Sequence, residues 1–315
     1  MRRIELVEMK KTIVVLLSLA FILSFSACKS KGKMSGDTKL IPAGTNAIAE
    51  INIADLMKLD KVKSELEGRE GKSFTKKTGL KPSDVKSITL FATVDKLRDL
   101  ERHPNFGFLV KGSGFDNAMK ELVKSAGKRI KELKYADKVI YSKRDLSLSL
   151  IGKNIAGGTL DNVKKILDLS KGKGKSLDTK EFASIFKKLN ASSAKGAVIL
   201  PKSTREELVK MAKGSPMPVA GLNDVVAKLK VIAAGANISN SSIELKFVIK
   251  SDAKAVKTLV ETAKTLLKTM AAPMVKQYES KMKGVQAVYD SLKIEADGDY
   301  MLISLKIPAS MLDKM

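Results

Sequence analysis

The chain reads as an α+β protein made of two similar antiparallel-sheet-plus-helix halves, and three observations predict this. From Leu40 onward, strand-like and helix-like patterns alternate. Phe108-Leu109-Val110-Lys111 followed by a helical spacing is echoed by Phe247-Val248-Ile249-Lys250 followed by another. Between them, Ser170-Lys171-Gly172-Lys173-Gly174-Lys175-Ser176 has the composition of a linker. The expected body is therefore a first α+β domain over 40–175 and a second over 176–315.

In the first half, residues 46–53 are rich in Ile and Ala and predict a strand, with an amphipathic helix over 54–66. Residues 87–94 and 105–111 predict two more strands. Phe115, Ala118, Met119, Leu122, Val123 and Ala126 fall at helical spacing and predict a helix over 115–126. Residues 138–143 and 146–159 read as strands, the second turned at Gly152-Lys153-Asn154, and 160–169 as a short helix.

In the second half, 196–200 predicts a strand. Ser203-Thr204-Arg205-Glu206 has the form of a capping box opening a helix to Lys213. Residues 229–239 and 242–250 predict strands. A long helix is expected over 252–283, with Val256, Leu259, Val260, Ala263, Leu266, Leu267 and Met270 as one core-facing stripe. Pro273 should break or kink it, the stripe resuming through Met274, Tyr278 and Met282. Asp297-Gly298 marks a closing hairpin.

The body is preceded by a different kind of sequence. Met9-Lys10-Lys11 begins a basic start, with Met1–Glu8 read as an upstream extension, and an apolar run of 16 residues follows from Thr12 to Ala27. That is short of the roughly 20 residues a membrane-spanning helix needs, and it suits a secretory signal. The run ends in Phe25-Ser26-Ala27-Cys28, where small residues let a peptidase approach the backbone ahead of the chain's single cysteine. This segment resembles the lipobox of bacterial lipoproteins. The resemblance implies that residues 1–27 are removed and that Cys28 becomes a lipid-modified N-terminus carrying acyl chains. Residues 28–39, rich in Lys, Ser and Gly, would be a flexible tether. Lys29, rather than aspartate, follows the cysteine, which in enteric-type bacteria directs sorting to the outer membrane instead of the inner.

The body shows a looser likeness. Leu40-Ile41-Pro42-Ala43-Gly44-Thr45-Asn46-Ala47 leads into a strand, Thr78-Gly79-Leu80-Lys81-Pro82-Ser83-Asp84-Val85 follows, and the turn and helix of 146–169 come next. The set resembles uncharacterised bacterial envelope proteins, often lipoproteins, with duplicated α+β domains. It implies an extracytoplasmic module and supplies no activity.

Lys and Arg number 58 against 34 Asp and Glu, a formal charge of +24. Without residues 1–27 the chain would hold 54 basic and 32 acidic residues, a net +22, so the positive charge belongs to the body. Only eight of the basic residues are Arg, aromatics make up 5%, and Trp is absent. A lysine-borne charge with few stacking platforms suits diffuse attraction to polyanions and not the reading of bases, so no specific nucleic acid is expected.

Motifs with a chemical look do not hold together. Gly71-Lys72-Ser73 and Gly174-Lys175-Ser176 lack the glycine five positions upstream that a phosphate loop needs, since Leu66 and Leu169 stand there. Lys77-Thr78-Gly79 and the Ser-x-x-Lys strings at 83–86 and 125–128 run in the reverse order to penicillin-recognising enzymes. His103, the single histidine, lies in a polar stretch with no nucleophile signature beside it. One cysteine and one histidine exclude a disulfide framework and a multi-histidine metal cage.

The expected function is thus a lipid-anchored, non-enzymatic envelope lipoprotein with Cys28 as its lipidation site and no catalytic residue, metal or cofactor. Its expected partners are the membrane, through the anchor, and anionic lipid, lipopolysaccharide, glycan or an envelope protein. The alternative is a periplasmic carrier of a lipid or other apolar ligand held between the two halves.

Overall fold

A computed structural model describes residues 38–78, 80–96, 105–191, 193–213, 222–279 and 283–312. Among these residues twelve strands form one sheet: β1 (Ala47–Asn52), β2 (Val85–Ala92), β3 (Phe106–Gly112), β4 (Lys131–Tyr135), β5 (Lys138–Lys143), β6 (Leu146–Ile151), β7 (Asn154–Gly158), β8 (Ala194–Ile199), β9 (Val231–Ser239), β10 (Ser242–Lys250), β11 (Lys293–Asp297) and β12 (Tyr300–Pro308). Their spatial order is β11-β12-β10-β9-β8-β1-β2-β3-β7-β6-β5-β4, and every neighbouring pair is antiparallel. With its helices this is the α+β class expected.

The two halves trace the same path. Counted outward from the middle, the first runs β1-β2-β3-β7-β6 and the second β8-β9-β10-β12-β11, with β5 and β4 added at the far edge of the first. Helices fill equivalent connections. Between β1 and β2 lie α1 (Ile53–Leu56), α2 (Asp60–Glu67) and α3 (Arg69–Thr78); between β8 and β9 lie α7 (Lys202–Lys213) and α8 (Leu222–Lys228). After β3 comes α4 (Phe115–Ala126), and after β10 come α9 (Ala253–Leu266), α10 (Ala272–Glu279) and α11 (Val285–Asp290). The echoed segments are β3–α4 and β10–α9. The two predicted hairpins are β6–β7 and β11–β12, each turned on a glycine of positive φ, Gly152 at 56° and Gly298 at 64°. A final helix, α12, spans Ala309–Leu312.

Two linking helices, α5 (Leu160–Ser170) and α6 (Lys180–Leu189), lie on one face of the sheet. Side chains alternate across strands, so this face receives Ile48, Phe91, Leu109, Ala156, Ala197, Ala233 and Val248, packed against Ile166, Phe182, Ile185, Phe186 and Leu189. The linker between α5 and α6 is tied down as well: Ala43 donates to the Lys175 carbonyl and Leu177 to that of Ile41, itself fully buried. The opposite face carries the other helices. Leu56 packs with Ile51, Ile238 and Ile243; Phe115 and Met119 of α4 pack with Ile155; and Val256 and Val260 of α9 pack with Met301. The exposed edges are charged, with Lys131, Glu132 and Lys134 on β4 and Lys293, Glu295 and Asp297 on β11, which discourages edge-to-edge pairing.

The long helix departs from its expected form. Asp252 caps it, its carboxylate accepting from the Ala255 amide at 2.7 Å. A π-helical turn over Leu267–Ala271 then separates α9 from α10. Pro273 has no amide hydrogen for the Thr269 carbonyl, and the widened turn ahead of it accommodates that loss without a break. Only the first part of the apolar stripe is core. Leu266, Met274 and Tyr278 are 43%, 52% and 49% exposed, because the helix runs past the sheet that Val256 and Val260 cover. Met282 lies outside the described residues. The capping box at 203–206 also does not form. Ser203 and Thr204 donate their hydroxyls to the Asp95 carbonyl instead, and α7 begins one residue earlier than Ser203.

Glu279, at the end of α10, clamps the start of α11. Its two oxygens accept from the Gly284 and Gln286 amides at 2.9 and 2.7 Å, which holds its carboxyl below the usual glutamate range. A lowered native pKa contributes stability above the ordinary glutamate range that is lost as pH falls through the lowered value. The protection of the Gly284 and Gln286 amides, taken as hydrogen exchange relative to the intrinsic rate at each pH, should therefore fall on acidification. In Glu279→Gln that protection should be low already at neutral pH and nearly independent of acid.

Candidate functional site

Cys28, the residue expected to carry lipid, lies outside the described residues, as do the signal segment, residues 28–37 of the tether, and His103. Gly71-Lys72-Ser73 is placed inside α3, where Gly71 serves packing. A Cβ there would sit 1.4 Å from the Leu66 carbonyl oxygen. Lys175 and Ser176 lie in the linker between α5 and α6 and pair with Ala43 and Pro42. Neither triplet forms a phosphate loop. Among the described residues no group of three or more His, Cys, Asp or Glu side chains could hold a metal ion.

A buried polar cluster lies at the middle of the sheet, where β1 of the first half pairs with β8 of the second. The facing stretches are rich in Ala and Gly: Ala47, Ile48, Ala49, Glu50 and Ile51 face Val198, Ala197, Gly196, Lys195 and Ala194 in that order. Glu50 and Lys195 are directly opposed. The Lys195 ammonium is 3.2 Å from Glu50 Oε2, and the two side chains are 1% and 5% exposed. Phe186 of α6 covers them, with the ammonium 5.1 Å from its ring centroid, a cation–π contact in a dry setting.

Close approach of α6 makes this cover possible. On the far side of Lys195 stands Gly235 of β9. A Cβ on Gly235 would come within 2.6 Å of the Ala191 Cβ and 2.7 Å of Leu189 Cδ2. Asn190 ends α6 in the left-handed conformation at φ 44°. The Asn237 amide donates to the Asn190 carbonyl at 3.3 Å and to Glu244 Oε2 at 2.7 Å.

Polar contacts flank the pair at both ends of the ladder. Asp55, at the start of the first half's helices, accepts from Asn52 Nδ2 at 3.0 Å, from Lys58, and from the hydroxyl of Ser193 in the second half. At the other end the Asp95 carbonyl accepts from Ser203 at 2.6 Å and from Thr204 at 3.0 Å. The join is thus a backbone ladder with an ion pair in its middle and hydrogen bonds at its ends. Such an arrangement holds two halves in one geometry.

Two concavities lie elsewhere. The larger, about 410 Å³, is formed wholly by the first half, with Met57, Leu66, Lys72, Thr75 and Lys76 among its walls. The smaller, about 140 Å³, lies by β10, β11 and β12 and is bordered by Lys188, Lys246 and Lys293. Two of these lysines are matched by carboxylates. Lys188 bonds Asp297, which holds its pKa above the usual lysine range, and Lys246 lies 3.5 Å from Glu244. Lys188 and Lys250 each stand 5.4 Å from the Tyr300 ring centroid.

Periodicity gives no access to Glu50 and Lys195, but their setting was a signal. Each is a lone charge inside a run of small and apolar residues that reads as strand, and the two have opposite sign.

No family model matches the chain, and no curated protein matches it. Among solved structures it is similar to TP0453. In crystal form III the identity is 13%, over 90% of this chain and 98% of that one, with a TM-score of 0.49. In form IV it is 12%, over 88% and 94%, with a TM-score of 0.48; in form I, 10%, over 90% and 97%, with a TM-score of 0.44. At these values the likeness assigns neither a family nor a residue role to this chain.

Proposed function

We propose that this chain is a lipid-anchored cell-envelope lipoprotein without enzymatic activity. Its α+β body is an interaction module for envelope proteins or anionic envelope polymers. The observation that carries the reading is the end of the apolar run: Ser26 and Ala27 precede the single cysteine, and a polar Lys/Ser/Gly segment follows it. Acyl chains contribute about 0.8 kcal/mol per buried methylene, so a multiply acylated Cys28 holds a body of this size on a bilayer. No helix among the described residues is long and apolar enough to cross a membrane.

The lysine-rich charge supports anionic partners, with attraction that falls as salt screens it. Lys29 supports the outer membrane as the destination. A carrier role would draw on the cavity of about 410 Å³, within the size range of small-molecule sites, which lies inside the first half and not at the join.

The test is phase separation in detergent. The wild-type protein should enter the detergent-rich phase almost completely, and Cys28→Ala should move it to the aqueous phase with its fold intact. Equal partitioning of the two would contradict the anchor.

A further inference from the structure

We propose that the buried Glu50–Lys195 pair is a register lock. It selects the one β1–β8 ladder in which the two halves share a sheet. The inference is independent of whether Cys28 is acylated.

The need for a lock follows from the residues around it. Apolar patterning sets strand register when large side chains on one face must meet the core, and it sets it weakly where strands are rich in Ala and Gly. The join is such a place. Ala47 and Ala49 face Val198 and Gly196, Ala194 and Ala197 lie beside them, and the next strand offers Ala233, Ala234, Gly235 and Ala236. A slip of one residue would turn Ile48 and Ala197 away from the α6 core, and the fold excludes it. A slip of two keeps every side chain on its own face and exchanges Ala and Gly partners for other small or aliphatic ones, apart from the two charges. Packing alone discriminates poorly between such ladders.

The charges do discriminate. In the observed ladder Glu50 meets Lys195 at 3.2 Å with both side chains out of water. A slip of two sets Glu50 opposite Ser193 or Ala197, and Lys195 opposite Ile48 or Asn52. Each charge would then remain beneath Phe186 and its neighbours having lost the partner that directly opposes it, which is costly in a dry interior. A buried ion pair is a poor source of stability and a good source of specificity, as buried polar residues are in coiled-coil register. The contacts of Asp55 with Ser193, and of Asp95 with Ser203 and Thr204, lie beyond the ladder in turns and helix starts.

Disulfide trapping reads the register directly. In the chain from residue 28 onward with Cys28→Ser, Ala47→Cys with Val198→Cys reports the observed ladder, because those residues are directly opposed. Ala47→Cys with Gly196→Cys reports the ladder slipped by two. With Glu50 and Lys195 in place, oxidation should close the first pair and leave the second at background. In E50L/K195L the second should rise to a yield similar to the first. In the charge-swapped E50K/K195E it should stay at background. The proposal is overturned if E50L/K195L folds cooperatively and still traps only the observed ladder. It is equally overturned if E50L/K195L fails to fold, since the pair would then hold the fold instead of choosing between ladders, or if the charge swap traps the slipped ladder.

Discussion

Lys195→Met alone should lower the free energy of unfolding by about 3–5 kcal/mol, the usual cost of breaking a buried ion pair by removing one partner. Lys195 is 1% exposed and Glu50 5%, so water cannot take the place of the missing ammonium. Total stability of a domain is typically about 5–15 kcal/mol, so the single variant should be near its unfolding midpoint under mild conditions. Glu50→Leu added to it should recover most of the loss, because a matched apolar pair leaves no charge buried. Urea unfolding of the two variants checks this. Equal stability of single and double variants would contradict this, because the Glu50 carboxylate left behind would then carry no penalty.

Phe186→Ala should cost a similar amount, about 3–5 kcal/mol for truncating a fully buried aromatic side chain. The loss has two parts. Phe186 fills the space between α6 and the sheet, beside Phe182 at a ring separation of 6.2 Å, and it covers the Lys195 ammonium. Phe186→Leu keeps most of the volume and should lose markedly less. If leucine costs as much as alanine, the ring's position over the ammonium outweighs the space it fills.

Much of the local structure was legible because it is written in local spacing. Residues 115–126, 138–143 and 242–250 form elements with the bounds that periodicity gives, and the hairpins fall on Gly152 and Gly298 as turn chemistry requires. The β4 strand escapes such reading. Lys131-Glu132-Leu133-Lys134-Tyr135 is an edge strand facing water, so little apolar alternation is imposed on it. Helix α6 is different: Phe182, Ile185, Phe186 and Leu189 repeat at helical spacing, and the pattern is short but complete. The linker composition beside it masks a helix that covers the middle of the sheet.

The candidate site was the least legible part, for a topological reason. Glu50 and Lys195 are 145 positions apart in the chain, and they meet only because β1 and β8 are neighbours. Periodicity states that a strand exists and which side is apolar; it does not state which strand lies next to it. The echo between β3–α4 and β10–α9 came nearer, since a repeated path implies a meeting of its two copies. That this meeting is a strand ladder, and not a contact between helices, depends on long-range pairing.

The account turns on what is attached to the sulfur of Cys28, and the mass of the intact protein extracted from membranes measures that directly. A chain beginning at Cys28, heavier than its sequence by a diacylglyceryl group and any further acyl chain, is the predicted result. A free thiol at that cysteine, or residues ahead of it still joined to the chain, would contradict it.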